Sequence, residues 1–242
     1  MENSQSDFYQ TPNIARLAAN GMRFSRAYSP AALCTPSRAS ILTGQTPARL
    51  HITTPGGGGR RAMPSRKFIG PRQLTEIPDA KTTIAEALGG AGYACAHLGK
   101  WHLGKSNPGD HGFDLHDGST NNGGPGLFQD PNPKDIFGMT DRAIEFMEQQ
   151  ASSDTPFYLQ LSHYALHEPA QALEQSKKRF KGIPAGDQHN DVDYAAMTYD
   201  LDSGVGQILE SIGRLGLTDN TYIVLMSDNG ASGSLRRPQN IP

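Results

Sequence analysis

The sequence predicts an α/β fold, with a mostly parallel central sheet and helices on both of its faces. Short apolar runs of strand length alternate with amphipathic helical stretches, the pattern of a parallel sheet built from crossover units. The polar residues with chemical potential fall directly after those runs, where open α/β sheets keep their binding crevices. The length of 242 residues suits one domain.

The elements follow in chain order. Residues 11–20 read as a helix, with Pro12 in its first turn and Gly21 as its stop. Residues 24–28 form a weak strand candidate. Residues 36–42 read as a helix capped by Thr35, opened by Pro36 and ended near Gly44. Residues 83–91 form another helix, capped by Thr82 or Thr83 and closed by Gly92. Residues 93–98, 157–162 and 222–227 are apolar and bounded by polar or Gly/Pro residues, so they read as strands. Between them, residues 135–151 place Ile136, Met139, Ala143, Phe146 and Met147 on one helical face. Residues 191–215 do the same with Val205, Ile208, Leu209, Ile212 and Leu215. Two long loops, 51–81 and 104–134, interrupt the pattern, and loops of that length in a compact domain usually carry function. No internal repeat or domain boundary stands out, so residues 1–242 are taken as one unit.

Composition narrows the function. Hydrophobic residues make up 36%, enough for a core, and the 27 glycines and 17 prolines belong mainly to loops. The longest strongly apolar run, 222–226, is far too short to span a bilayer. Residues 1–10 lack the basic-then-apolar pattern of an export signal. The compartment is left open; export would need a signal upstream. Two cysteines make no disulfide framework. Net charge is −2, yet residues 8–75 contain no acid and ten basic residues. That asymmetry suggests an anionic ligand, or arginines paired with acids from the other half. The basic stretch has few interleaved aromatics and matches no nucleic-acid-binding module, so a nucleic-acid partner is not expected.

The residues after the strands are the informative ones. Cys34-Thr35-Pro36-Ser37-Arg38 follows the weak first candidate, and Gly99-Lys100-Trp101-His102 follows the second run. His163, His167 and Glu168 follow the third, and Asp228-Asn229-Gly230 the fourth. A thiol, two cations, imidazoles, a carboxylate and a carboxamide thus gather at one sheet edge, a set suited to an anion assisted by a metal. Cys34 would stand at a helix amino end, where free N–H groups and the dipole favour negative charge. Arg38, one turn along, could aim its fork of donors at the same place. A lone cysteine is most often a small buried hydrophobe, but the flanking Pro36, Ser37 and Arg38 weigh against that here. The spacing of His163 and His167 would suit zinc on a helix, but Pro169 and the preceding strand argue against a helix there. His51, His97, His111, His116 and His189 are expected to have no catalytic role, although the loop holding His111 and His116 could line a cleft. Cys95 reads as a buried strand residue.

The stretch from Cys34-Thr35-Pro36-Ser37-Arg38 to Thr43-Gly44 resembles the first signature of the sulfatase family, an arylsulfatase-like branch of the alkaline phosphatase superfamily. Gly99-Lys100-Trp101-His102-Leu103-Gly104 resembles the second signature, and Ser227-Asp228-Asn229-Gly230 resembles a metal-binding strand end. The resemblance implies hydrolysis of a small-molecule or carbohydrate sulfate ester. It implies that Cys34 is oxidised to formylglycine by a formylglycine-generating or anaerobic sulfatase-maturating enzyme. The hydrated aldehyde would then attack sulfur with one oxygen and expel sulfate with the other. Arg38 would steady that group, Lys100 and His102 would contact it and the sulfate, and His167 would assist the leaving alcohol. Asp228, Asn229 and the modified Cys34 would bind one divalent cation, Ca2+.

The family also has an opening strand with an aspartate pair, a lysine beyond the Asp-Asn-Gly stretch and a C-terminal subdomain. None is found in these 242 residues. The resemblance therefore implies a partial N-terminal catalytic domain, truncated at both ends, that binds metal weakly and turns over poorly. The alternatives are a non-catalytic relative that binds sulfated anions, and a phosphoryl-transfer relative. The latter is disfavoured because it would carry Ser or Thr at the position of Cys34.

Overall fold

A computed structural model describes residues 6–56, 73–122 and 130–230. Among them, three parallel strands form one sheet in the order β2-β1-β3: β1 (Ala94–Gly99), β2 (Leu115–His116) and β3 (Phe157–Ser162). β1 pairs with β3 along its whole length, from Ala94 opposite Phe157 to Gly99 opposite Ser162. β2 adds only two positions, Leu115 opposite Ala96 and His116 opposite His97. The described residues also form seven α-helices: α1 (Pro12–Ala19), α2 (Cys34–Thr43), α3 (Pro47–Leu50), α4 (Ile84–Gly89), α5 (Ile136–Ser153), α6 (Glu174–Lys181) and α7 (Val192–Arg214).

Alternation along β1 builds a core on each face, as the predicted fold class requires. Cys95 points toward α2 and α4 and joins Ala39, Leu42, Ala85, Trp101, Leu103 and Phe113. Leu98 points the other way and meets Met139 and Ala143 of α5, with Leu159 and Leu161 of β3 beside it. A central strand covered on both sides needs a near-continuous apolar run, which β1 has. A third cluster packs Phe180 of α6 against Ala195, Ala196 and Met197 of α7, with Phe8 added from the N-terminal segment.

Local chemistry sets the helix ends. Thr83 and Glu86 form a reciprocal capping box on α4. Asp191 caps α7 by accepting from Tyr194 N at 2.9 Å. Gly44 closes α2 in the left-handed region, at φ 65°. α1 has no local side-chain cap. Its free N–H groups are met instead by Asp202 of α7, which accepts from Asn13 N at 3.1 Å and Ile14 N at 2.8 Å.

Several expectations need correction. Residues 222–227 carry no secondary structure and pair with no strand among the described residues. A strand needs a neighbour's backbone groups; without one, apolar composition alone makes no sheet, and Tyr222 and Val224 stay 101% and 80% exposed. Residues 24–28 are likewise coil, with Phe24 and Tyr28 exposed. The helix expected over 36–42 begins at Cys34, with Leu33 in the cap position. Thr35 does not cap it, because its hydroxyl donates to His102 O at 2.9 Å. α3, α6 and β2 were not expected: α3 has four residues, β2 has two, and α6 is mostly charged, burying Ser176 and Phe180. Much of the basic stretch (Arg60, Arg61, Arg66, Lys67 and Arg72) lies outside the described residues. No helix among the described residues is long and apolar enough to cross a membrane.

Candidate active site

The site lies beyond the carboxyl end of β1, where three segments meet. Lys100, the first residue after β1, extends the ladder by one rung, its N donating to Ser162 O at 2.8 Å. The turn that follows depends on Gly99, at φ +93°, where an added Cβ would collide with the Ser162 carbonyl oxygen and Met139 Cε. Thr120 clasps the turn. Its Oγ1 accepts from Trp101 N at 3.0 Å and donates to Gly99 O at 2.5 Å, and its carbonyl accepts from His102 N at 2.8 Å. Asp117 accepts from Gly99 N at 2.8 Å. Sequence reasoning did not single out Asp117 or Thr120. Both sit in a Gly/Asn-rich loop, and only the fold brings them under the Lys100 turn.

The amino end of α2 faces this turn. Cys34, a half-buried free thiol, is the first helical residue, and the Lys100 side chain hydrogen-bonds it. Arg38, one turn further, is 8% exposed. Its Nη1 donates to Lys100 O at 2.6 Å and its Nη2 to Asp228 Oδ2 at 3.1 Å. One guanidinium fork therefore joins the β1 turn to the Asp228 segment. Burial pulls the Arg38 and Lys100 pKa values downward; for Lys100 the Arg38 charge pulls in the same direction and the Cys34 sulfur opposes it. Asn229 completes the corner, its Nδ2 donating to Ala31 O at 2.9 Å and Ser37 Oγ at 3.1 Å.

Two histidines border the cations. His102 takes a left-handed backbone, φ 58°. Burial, then Lys100, Arg38 and His167, push its pKa down to about 4, so it is neutral at pH 7. His167 is exposed, and its Nδ1 lies 2.8 Å from Glu168 O. That contact fixes the ring with Nε2 as its remaining polar atom. His163 stands apart from these contacts, with its pKa pushed down to about 4 by burial. His111 does not line a cleft: it is buried, its ring 5.6 Å from Trp101. His116 lies in β2, its Nδ1 accepting from Gly118 N at 3.0 Å.

Cys34, Arg38, Lys100, His102, His167, Asp228 and Asn229 are thus brought to one corner by hydrogen bonds and mutual electrostatic fields. The donor set does not by itself fit calcium. Calcium takes six to eight oxygen ligands, whereas no group of three or more His, Cys, Asp or Glu among the described residues could hold a metal. Asp228 Oδ2 is engaged by Arg38, and the Asn229 amide nitrogen is turned toward α2. Chemically the corner holds buried guanidinium and ammonium groups around a half-buried thiol, a set suited to an anion.

The family model described as Sulfatase matches residues 3–239. The chain belongs to the sulfatase family. Pig (Sus scrofa) N-acetylgalactosamine-6-sulfatase is 32% identical to this sulfatase over 253 residues, covering 92% of this chain and 46% of the relative. Human arylsulfatase A is 29% identical, covering 91% of this chain and 47% of the relative. Among solved structures, Ps i-CgsB in complex with k-i-k-neocarrahexaose superposes with a TM-score of 0.69 at 26% identity, covering 89% of this chain and 52% of that one. The sulfatase chain spans about half the length of the curated relatives it matches.

Proposed function

We propose that this chain is the N-terminal catalytic portion of a sulfuric ester hydrolase acting on a sulfated carbohydrate, with Cys34 at the reacting centre. The observation that carries the reading is the Arg38 fork, which joins Lys100 O to Asp228 one turn along the helix that Cys34 begins. The sugar reading is supported by the similarity to N-acetylgalactosamine-6-sulfatase and to a structure holding k-i-k-neocarrahexaose.

The position of Cys34 fits conversion to formylglycine. The side chain is half-buried at a helix amino end, with Lys100 and Arg38 near it. When present, that group supplies a hydrated aldehyde hydroxyl as nucleophile. The chain's own residues do the rest. Lys100 and Arg38, stripped of much of their hydration, bind the sulfate oxygens strongly because little water screens them. Arg38 is held in one orientation by Lys100 O and Asp228, so it need not reorganise during reaction. His102, neutral at pH 7, can accept a proton from the attacking hydroxyl or donate a hydrogen bond from its N–H. His167, exposed and anchored through Nδ1 at Glu168 O, would give a proton to the departing sugar hydroxyl. Because the described donors fall short of a calcium site, no step is assigned to a metal.

The test is to express the full-length protein together with a sulfatase-maturating enzyme and supply sulfated oligosaccharides. Sulfate release that disappears in Cys34→Ala, with a formylglycine mass at position 34 in the active protein, supports the reading. Undiminished release by Cys34→Ala would exclude it.

A further inference from the structure

The turn after β1 holds left-handed backbone at both ends, with Gly99 at φ 93° and His102 at φ 58°. A histidine keeps that conformation only where its surroundings over-determine it. Much of the constraint comes from residues 117–120, a stretch that carries no motif.

Thr120 is the centre of the constraint. Its Oγ1 accepts from Trp101 N at 3.0 Å and donates to Gly99 O at 2.5 Å, and its carbonyl accepts from His102 N at 2.8 Å. Asp117 Oδ2 accepts from Gly99 N at 2.8 Å. These two residues therefore fix both backbone groups of Gly99 and the N–H groups of Trp101 and His102. Lys100 lies between the fixed points, its own N–H held by Ser162 O and its carbonyl by Arg38 Nη1. The ladder between β1 and β3 ends with Lys100 N. Thr120 reaches past that end, to the residues on either side of Lys100 and to His102 itself.

The loop is braced in turn. β2 ends at His116, whose Nδ1 accepts from Gly118 N at 3.0 Å, and Gly118 O accepts from Thr120 N at 2.9 Å. Arg142 of α5 donates from one nitrogen to Asp117 Oδ2 at 2.9 Å and to Asp135 Oδ2 at 2.8 Å. The Asp117 side chain is 8% exposed, so its charge is used inside the protein. Groups that must stand within a fraction of an ångström of a productive geometry need this kind of support beneath them.

We infer that Thr120 is a positioning residue of the hydrolase, its hydroxyl and carbonyl setting the backbone that carries Lys100 and His102, with Asp117 as its support. The inference rests on the sulfate-ester reading above and adds to it a residue that acts through Lys100 and His102.

The test uses the full-length protein matured as above, with kcat and KM on a sulfated oligosaccharide expressed per folded, formylglycine-bearing molecule. Thr120→Val removes the hydroxyl at constant shape, and Thr120→Ser restores it. Thr140→Val is the control, a buried threonine of α5 whose hydroxyl donates to Ile136 O at 2.8 Å. Thr120→Val should lower kcat about tenfold or more with KM within about threefold of the parent, and Thr120→Ser should stay within about threefold in both. Thr140→Val should keep the parental kcat whatever its melting temperature. A parental kcat in folded Thr120→Val, a loss that Thr120→Ser does not recover, or an equal loss in Thr140→Val overturns the inference. Backbone hydrogen exchange on the parent decides the case even where Thr120→Val does not fold. The Trp101 and His102 amides should exchange as slowly as that of Leu98 in β1, and exchange within seconds would overturn the clasp. A parent with slow exchange at these amides and no sulfate release places the failure in the sulfate-ester reading, and the positioning role falls with it.

Discussion

Arg38 illustrates how one side chain organises this site. Its two terminal nitrogens reach the carbonyl of Lys100 and the carboxylate of Asp228, while its stem lies among buried residues of α2. Lysine can keep the charge but not the fork. Arg38→Lys should therefore lower kcat/KM for sulfate-ester hydrolysis by about ten- to a hundredfold, read by steady-state kinetics on the full-length enzyme. An unchanged kcat/KM would show that the fork is dispensable. Cys34→Ala should abolish turnover yet leave sulfate binding to Lys100 and Arg38 intact, and a sulfate titration separates those effects. The motif residues Cys34, Arg38, Lys100 and His102 were legible because each stands beside residues with strong local meaning, such as Pro36 and Gly99. Thr120 and Asp117 were not, since their importance comes from partners elsewhere in the chain.

At the scale of elements, two contacts are sharp enough to test. Gly99 ends β1 at φ +93° with the Ser162 carbonyl against it. Gly99→Ala combines an unfavourable backbone with a clash and should cost about 3 kcal/mol or more in urea unfolding, with loss of the Lys100 turn. A near-parental midpoint would show that β1 and β3 can separate without penalty. Asp202 serves the amino end of α1 from the middle of α7. Asp202→Ala leaves two backbone N–H groups without their carboxylate, and unfolding should become easier by about 2 kcal/mol. The α1 helix was readable from Pro12 and Gly21, but the residue that caps it was not. Periodicity records local repeats and carries no trace of a partner nearly the whole chain away. The short β2 strand was hidden for a similar reason: its two residues are exposed and earn strand geometry only from β1.

For the whole molecule, acid should be a strong stress. His97, buried between Trp101 and Phe113, has its pKa pushed down to about 3, chiefly by burial. His102 and His163 are pushed down to about 4 for the same leading reason. The unfolded chain takes up protons near pH 6.5 that the folded protein refuses until pH 3–4. Their contribution to stability is therefore complete above about pH 6.5 and is lost as pH falls through that window. His97 alone should account for a loss on the order of 3 kcal/mol by pH 4. Melting temperatures followed from pH 7 to pH 4 should drop steeply, and His97→Asn should flatten the slope. A flat profile for the parent would mean that the histidines are not held neutral.

The sequence by itself determined the α/β class, the long amphipathic helices and the corner motifs, because apolar spacing, capping residues and glycine stops act within a few residues of one another. Tertiary structure decided what depends on distant partners. The apolar run 222–227 was a strand by composition, yet it stays exposed and unpaired among the described residues, because a strand needs another backbone to accept its hydrogen bonds. Thr35 looked like a cap and became a tie to His102. Asp117 sits in the expected loop 104–134 and is tied to the start of α5 through Arg142, which also holds Asp135. Local physics could place each of these residues on a helix, strand or turn, but only the closed fold set which charges face one another.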